Sequence, residues 1–393
     1  MGDAGAPIVE NQWNQPVEFK GPEPWLRLEF RGQGSEYFRV WIVNVLLSVV
    51  TLGIYSAWAT VRNRRYFCGN TFLDDSHFDF HGDPRAILVG RVIAIFLLAG
   101  YAGGGYLHPA APAVTLLLIA VMMPWLIVRS LRFRYRNTSY RNLRFNFVGD
   151  ARQAYGIFGT YFVVALLAVA VPAGLGWLIA QEKLAGIGLF LGMIMVYFLI
   201  YPAFIHRLTT FTTSHSAYGD TYFAPDLKRP AYFGFFLGSL GVGLVAVMAA
   251  GIGVAIIGAL TGAFAGYSPG GSAPKFAAPL IALIILPAYM LPYAFWQVLT
   301  SNYLFNNTQL GPVRFRSNMT VFGYWGILIT NTLLVVTTLG LAFPWAKVRM
   351  ARYRVESLAY QGDLEGFEGS LVRDRGAAGD EIGDAFDIDL VGI

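Results

Sequence analysis

One unit, written several times in the same phase, constrains this chain more than any other feature. Asn44, Leu46, Leu47, Thr51, Leu52, Gly53, Trp58, Ala59, Val61, Arg62, Arg65 and Tyr66 recur without a gap 287 residues later. Their partners are Asn331, Leu333, Leu334, Thr338, Leu339, Gly340, Trp345, Ala346, Val348, Arg349, Arg352 and Tyr353. A second gapless offset, of 67, carries Trp58, Val61, Arg62, Arg65, Asn70, Thr71, Phe78, Phe80 and Gly82 onto Trp125, Val128, Arg129, Arg132, Asn137, Thr138, Phe145, Phe147 and Gly149. A period of this kind means that one element is stacked against copies of itself. Here each copy sets an apolar stretch between the same polar flanks.

The apolar stretches decide the solvent. Hydrophobic residues make up 55% of the chain and charged residues 13%, against about 25% charged in soluble domains. Apolar runs near 87–107, 112–128, 156–180, 185–205, 234–263 and 276–299 match the roughly 20 helical residues that cross a hydrocarbon core. Two more runs, 38–60 and 323–345, hold the 287-residue repeat. The first 37 residues are acidic, with no basic stretch ahead of an apolar core, so no cleavable signal peptide is expected. A single cysteine, Cys68, rules out an intramolecular disulfide and a cysteine-rich metal site.

Charge placement gives the expected orientation. The polar stretches 61–85, 129–152, 206–230 and 300–321 carry 16 Lys or Arg together, while the short connections between them carry only Lys183 and Lys275. By the positive-inside rule the long stretches are cytoplasmic, and the central runs form three out-and-back helical hairpins. The net charge of +5 follows from this asymmetry and calls for no nucleic acid. The arginines of 129–144 also suit anionic lipid headgroups. If the terminal runs each crossed once, Arg349 and Arg352 would lie opposite Arg62 and Arg65, although the elements are the same. The expectation is therefore that 38–60 and 323–345 return to the side they entered, turning at Thr51-Leu52-Gly53 and Thr338-Leu339-Gly340. The alternative is eight full spans with both termini outside.

The polar stretches alternate too. Phe78-Asp79-Phe80-His81-Gly82, Phe145-Asn146-Phe147-Val148-Gly149 and Leu28-Glu29-Phe30-Arg31-Gly32 read as strands with one buried face. Weaker copies lie at 217–222 and at Asn307-Thr308 with Phe315. Each cytoplasmic stretch then reads as a short amphipathic helix followed by a β-hairpin, and the four hairpins pack into a layer because single hairpins are marginal in water. The expected fold is an α-helical polytopic membrane protein, with six to eight membrane helices in internal repeats and short cytoplasmic β-hairpins between them. It divides into a polar segment 1–37 with a short strand, a repeat-built transmembrane domain 38–355, and an acidic, disordered tail 356–393.

The string from Asn44 to Tyr66 with its Thr-Leu-Gly-x-Tyr-x-x-Trp core, followed by Asn70-Thr71 and Phe78-x-Phe80-x-Gly82, resembles the YjgN-like family of bacterial inner-membrane proteins. The resemblance covers roughly residues 28 to 360. The second copy departs from it, with Ala342 in place of the tyrosine and Phe343-Pro344 before Trp345. What the resemblance implies is a multi-pass inner-membrane protein, a domain of unknown function with no site residues to transfer.

Candidate chemistry is sparse. His77, Asp79 and His81 share a strand face and form a weak metal set, but the 67-residue offset replaces them with Arg144, Asn146 and Val148. Asp83-x-Arg85 and Asp150-x-Arg152 recur, as an ion pair or a turn cap. Almost no ionisable residue falls inside the apolar runs, which disfavours a proton-coupled carrier. Asn44 and Asn331, with Thr51, Gly53, Thr338 and Gly340, are the candidates for lining a path or for satisfying the turn backbone. No phosphate loop, nucleophile elbow or dinucleotide fingerprint is present in its required setting, so neither an enzyme nor a cofactor is expected. The favoured reading is a transporter or channel-like protein for a small solute or lipid; the alternative is a non-catalytic scaffold that binds a partner through its hairpin layer, with membrane-embedded catalysis on a lipid third.

Overall fold

The computed structural model describes residues 24–106, 108–178, 182–260 and 277–364. Its organising element is one eleven-stranded sheet. In chain order the strands are β1 (Leu26–Arg27), β2 (Glu29–Phe30), β3 (Thr71–Leu73), β4 (Ser76–Phe80), β5 (Thr138–Tyr140), β6 (Leu143–Phe147), β7 (Ser216–Tyr218), β8 (Thr221–Pro225), β9 (Thr308–Leu310), β10 (Val313–Ser317) and β11 (Leu358–Gln361). They are hydrogen-bonded in the order β1-β11-β10-β9-β8-β7-β6-β5-β4-β3-β2. The two ends of that order, β1 and β2, are separated in the chain by Leu28 alone. One extended segment therefore pairs at its start with the last strand (Leu26 with Tyr360) and at its finish with the third (Glu29 with Phe72), and the sheet nearly closes on itself. Closure leaves few unpaired edge groups.

Five strand–helix–helix–strand segments build this ring. The first holds α1 (Gly34–Val50) and α2 (Ser56–Gly69), and the second α3 (Pro84–Gly103) and α4 (Ala111–Arg136). The third holds α5 (Ala151–Leu178), α6 (Glu182–Met195), a π-helical stretch at Val196–Ile200 and α7 (Tyr201–Ser214). The fourth holds α8 (Arg229–Leu260) and α9 (Ala277–Asn306), and the fifth α10 (Val321–Thr337) and α11 (Phe343–Glu356). One backbone bond joins the entry and exit of each segment. Arg31 donates to Asn70 (2.9 Å), His81 to Asn137 (2.8 Å), Val148 to His215 (2.9 Å), Asp226 to Asn307 (2.8 Å) and Asn318 to Ser357 (3.1 Å). Tight turns link each segment to the next. Asp74-Asp75 and Arg141-Asn142 have positive φ at both positions, which matches the right-handed strand twist, and Gly219 and Gly311 serve the other two.

Side chains fill the interior of the ring. Leu73, Tyr140, Tyr218, Leu310 and Tyr360 stand four residues beyond the end of each segment's last helix, and all are buried. Leu28, Phe78, Phe145, Phe223 and Phe315 pack against them from the entry strands. Neighbouring rings pack at a tilt, with centroids 4.9 Å apart for Phe78 and Tyr140 and for Phe145 and Tyr218. The alternate residues of the entry strands, Phe30, Phe80 and Phe147, face outward and are buried under the helices.

Six helical stretches are long and apolar enough to cross a membrane: Pro84–Tyr106, Ala111–Arg136, Ala151–Leu178, Gly186–Ser214, Arg229–Ala259 and Ile281–Asn306. All six overlap the central apolar runs. Of the short amphipathic helices expected in the polar stretches, α2 is a separate element, while in the other three stretches α4, α7 and α9 run on from the apolar stretch to the strand that follows. Once formed, a helix continues until its backbone is capped, and the caps stand at Asn137, His215 and Asn307. Two of the expected boundaries also shift. The strands near residue 28 belong to the sheet, and α11 and β11 run past 355 to Gln361, so the ordered fold takes in the start of the segment read as a tail. The rest of that tail and residues 1–23 lie outside the described residues.

Glycine ends each Phe-x-Phe-x-Gly strand for a steric reason. A Cβ at Gly32, Gly82 or Gly149 would stand 2.7, 2.6 and 2.5 Å from the ring of Phe30, Phe80 and Phe147. Gly149→Ala is expected to cost about 1–3 kcal/mol by overpacking, read as a lower Tm in detergent. Gly156→Ala, where a Cβ meets nothing within 4 Å, should be neutral or stabilising by up to about 1 kcal/mol.

Candidate functional site

The repeated polar residues gather at the seams between segments and at the turns of the first and fifth helix pairs. At three of the five exits Asn and Thr cap the preceding helix, and at the third exit Ser216 takes the place of the threonine. The amides of Asn70, Asn137 and Asn307 donate to the carbonyls of Tyr66, Phe133 and Tyr303 at 2.8–2.9 Å. The hydroxyls of Thr71, Thr138, Ser216 and Thr308 donate four residues back, to Phe67, Arg134, Thr212 and Leu304. These bonds satisfy carbonyls that a helix end leaves open.

Tyrosine fastens a segment to itself, and arginine fastens it to the next. Tyr66 Oη accepts from the Gln33 amide (2.9 Å) and donates to its carbonyl (2.8 Å), and Tyr353 does the same at Thr320 (2.9 and 3.1 Å). Arg65 donates to the Phe80 carbonyl (3.1 Å), Arg132 to Gly149 (3.0 Å) and Arg352 to Gly32 (2.8 Å). The last of these joins the fifth segment to the first. The other two seams use different donors in the same place: Asn302 donates to Met319 (2.8 Å), and the His206 ring meets the Leu227 carbonyl at 3.0 Å. Sequence reasoning missed these two because the motif around them has lost its arginine. Asn302 stands five residues before Asn307, as Arg65 does before Asn70, and that spacing was the available signal; His206, nine residues before His215, carries none.

The tryptophans and valines of the signature pack the helices that flank the seams. Val61, Val128 and Val348 are buried. Trp345 of α11 lies against Phe38 of α1, with centroids 5.1 Å apart, and closes over Gly34. Trp58 stacks on Tyr55 (6.2 Å), and Trp125 lies under the Arg129 guanidinium (5.3 Å). Arg62 and Arg349 are exposed, and Arg349 donates to Thr330 (2.7 Å).

The two short hairpins share one turn. Leu52 and Leu339 have φ of 50° and 51°, and Gly53 and Gly340 of 91°. Thr51 donates to the Leu47 carbonyl (2.7 Å) and accepts from the Tyr55 amide (2.9 Å); Thr338 does so with Leu334 (2.6 Å) and Ala342 (3.0 Å). Below the turn, Asn44 and Asn331 are 3% and 9% exposed and tie the hairpin arms together. Asn44 donates to Asn63 (3.1 Å) and Asn331 to the Ala346 carbonyl (2.9 Å). The Oδ1 of each is buried and accepts nothing among the described residues.

The metal candidates do not converge. His77 and Asp79 are 3.5 Å apart on β4, while His81 follows the strand and meets Ser139 at 2.8 Å. Among the described residues no group of three His, Cys, Asp or Glu could hold an ion. Asp83 caps α3 through the Arg85 amide (3.0 Å), and at the equivalent turn Gln153 accepts from the Asp150 amide (3.2 Å).

Inside the ring, Tyr140 donates to the Leu73 carbonyl (2.6 Å) and Tyr218 to the Tyr140 carbonyl (2.9 Å), each reaching one segment back. Burial disfavours the phenolate and pushes Tyr218 and Tyr360 from the ordinary 10 up to about 12.

A family model described as a bacterial protein of unknown function, DUF898, matches residues 25–385. The inner membrane protein YjgN of Salmonella typhimurium is 26% identical over 367 residues, covering 87% of this chain and 90% of that protein. YjgN of Escherichia coli K12 is 28% identical over 143 residues, which is 36% of this chain and 35% of that one. No solved structure matches.

Two outcomes follow from the seams and the ring. Arg352→Met should cost about 1–3 kcal/mol by leaving the Gly32 carbonyl unpaired, and hydrogen exchange should rise first in residues 26–30. Tyrosines with a raised pKa stabilise the fold fully below the unfolded value near 10 and lose that contribution as pH climbs to about 12. Alkaline unfolding should therefore begin above pH 10, and Tyr218→Phe should blunt that pH dependence, read by ultraviolet titration alongside circular dichroism.

Proposed function

The chain belongs to this bacterial family of unknown function, and from that premise we propose that it is a non-catalytic scaffold of the inner membrane, with its strand ring on the cytoplasmic side. One observation carries the reading against a conduit: the ring through which an axial path would run is filled by a packed apolar cluster to which every segment contributes, among them Leu73, Tyr140, Tyr218, Leu310 and Tyr360. Asn44 and Asn331, the candidates for lining a path, are used to join the arms of their own hairpins. The positive-inside bias supports the cytoplasmic placement. Anionic lipid and a protein partner at the hairpin turns, where Asp74, Asp75 and Arg141 form a salt-bridged rim with Arg31, are the partners it would take.

In this reading the first and fifth hairpins are re-entrant. Their helices α1 and α10 have 17 residues each, about 25 Å at 1.5 Å per residue. The return helices α2 and α11 are rich in arginine from Arg62 and Arg349 onward. Neither arm offers 20 consecutive apolar residues above that level.

Topology is tested with single cysteines in the N-terminal and C-terminal segments of a Cys68→Ser chain, labelled by an impermeant maleimide in intact cells. Protection of both ends, with labelling at 181–184, is expected; labelling of both ends would mean eight full crossings. Solute flux through proteoliposomes should stay at the protein-free level. A flux that Tyr140→Trp blocks would restore the transporter reading.

A further inference from the structure

The five helix pairs do not rise to one height. Measured from the glycine or its equivalent at the base of each, α3 is 20 residues long, α5 28 and α8 32, about 30, 42 and 48 Å. The helices α1 and α10 stop at 17 residues. These two low hairpins are neighbours in the ring: Trp345 of α11 packs on Phe38 of α1, and Phe343 on Trp41. The helical wall is therefore tall over three segments and low over two adjacent ones.

The low side has its own chemistry. No charged residue lies between Arg39 and Arg62, nor between Val321 and Ala346. The tips are among the most exposed apolar residues described, with Leu52 at 94% and Leu339 at 93%. Both show positive φ, a conformation uncommon for leucine. Below the tips the charge is strongly one-sided. The α1–α2 pair carries four arginines against one glutamate, and the α10–α11 pair one lysine and three arginines against one glutamate. Arg62 and Arg349 occupy the same signature position, one in each pair, and the tip stands about 10–15 Å above Arg62 by helical rise. That is about half of a 30 Å hydrocarbon core.

We propose that the two low hairpins form a one-leaflet seat for anionic phospholipid, with Arg62 and Arg349 at the headgroups and the Leu52 and Leu339 tips among the acyl chains. Depth and charge together select the occupant. An apolar tip that ends near the midplane requires acyl chains around it, and a basic band one leaflet below requires an anionic headgroup. The inference rests on the hairpins being re-entrant. The opposite leaflet above them is left free of protein on that side of the ring.

The test uses the full chain reconstituted in vesicles of equal parts phosphatidylethanolamine and phosphatidylglycerol, then released for native mass spectrometry of retained lipid. The wild type should retain phosphatidylglycerol preferentially. Arg62→Gln with Arg349→Gln should weaken that retention about 25-fold, at about fivefold for each basic residue near the surface. Arg62→Lys with Arg349→Lys should keep it. Arg207→Gln, at the same signature position in the tall third segment, should leave it unchanged. Unchanged retention in the Gln pair, or an equal loss in Arg207→Gln, overturns the proposal. A separate measurement places the tip: a fluorophore on Leu52→Cys should be quenched most by nitroxides deep in the acyl chain. If Leu52→Cys instead reacts with an impermeant maleimide from outside, the re-entrant reading itself fails. If it is protected and deeply quenched while the lipid preference is absent, this proposal alone fails.

Discussion

Closure of the strand ring is the constraint on which the rest of the molecule depends. A backbone amide or carbonyl buried without a partner costs more than a formed bond contributes. Eleven short strands with open edges would present many such groups. The segment around Leu28 removes the problem by pairing with β3 at one end and β11 at the other. Residues 26–30 and 358–361, more than three hundred positions apart, therefore complete the same sheet. The ring is not closed until the last segment has folded, which makes it a non-local structure with a high cost in loop entropy.

The seams show how a repeat can change in sequence and keep its physics. Each requires a donor on the second helix that reaches a carbonyl at the base of the next segment. Arginine does this at three seams, asparagine at one and histidine at one. A long guanidinium suits the site because it extends from the helix surface across to a neighbour while its stem packs on apolar side chains. Where the helices approach differently, a shorter amide or an imidazole reaches the same place. The tyrosines act over a shorter range, holding the first and fifth helix pairs to their own bases.

The helical layer is more loosely held than the ring. Of the six long apolar stretches, none has as much as a third of its length buried within the chain. Lipid must then cover most of that surface, which is why Leu, Val and Phe stand exposed along α5 and α8 without penalty in a bilayer. The low first and fifth hairpins are the exception in length, and they flank the point where the chain closes on itself.

The sequence by itself determined the local pieces. Six apolar runs of spanning length, the turns at Leu52-Gly53 and Leu339-Gly340 and the Phe-x-Phe-x-Gly strands all follow from hydropathy, period and backbone preference, which act within a few residues. Arg65, Arg132 and Arg352 were legible as a signature and not as seam donors, because their partners, the carbonyls of Phe80, Gly149 and Gly32, carry no side-chain code. Asn302 keeps the spacing of those arginines without their residue type, and His206 keeps neither. Only the tertiary structure decided that the hairpins join into one ring, that β11 belongs to it, and that its centre is packed with Tyr140, Tyr218 and Phe145. Strand pairing between distant segments is chosen by which closure satisfies every backbone group at once, and that is a property of the whole chain, not of any stretch of it.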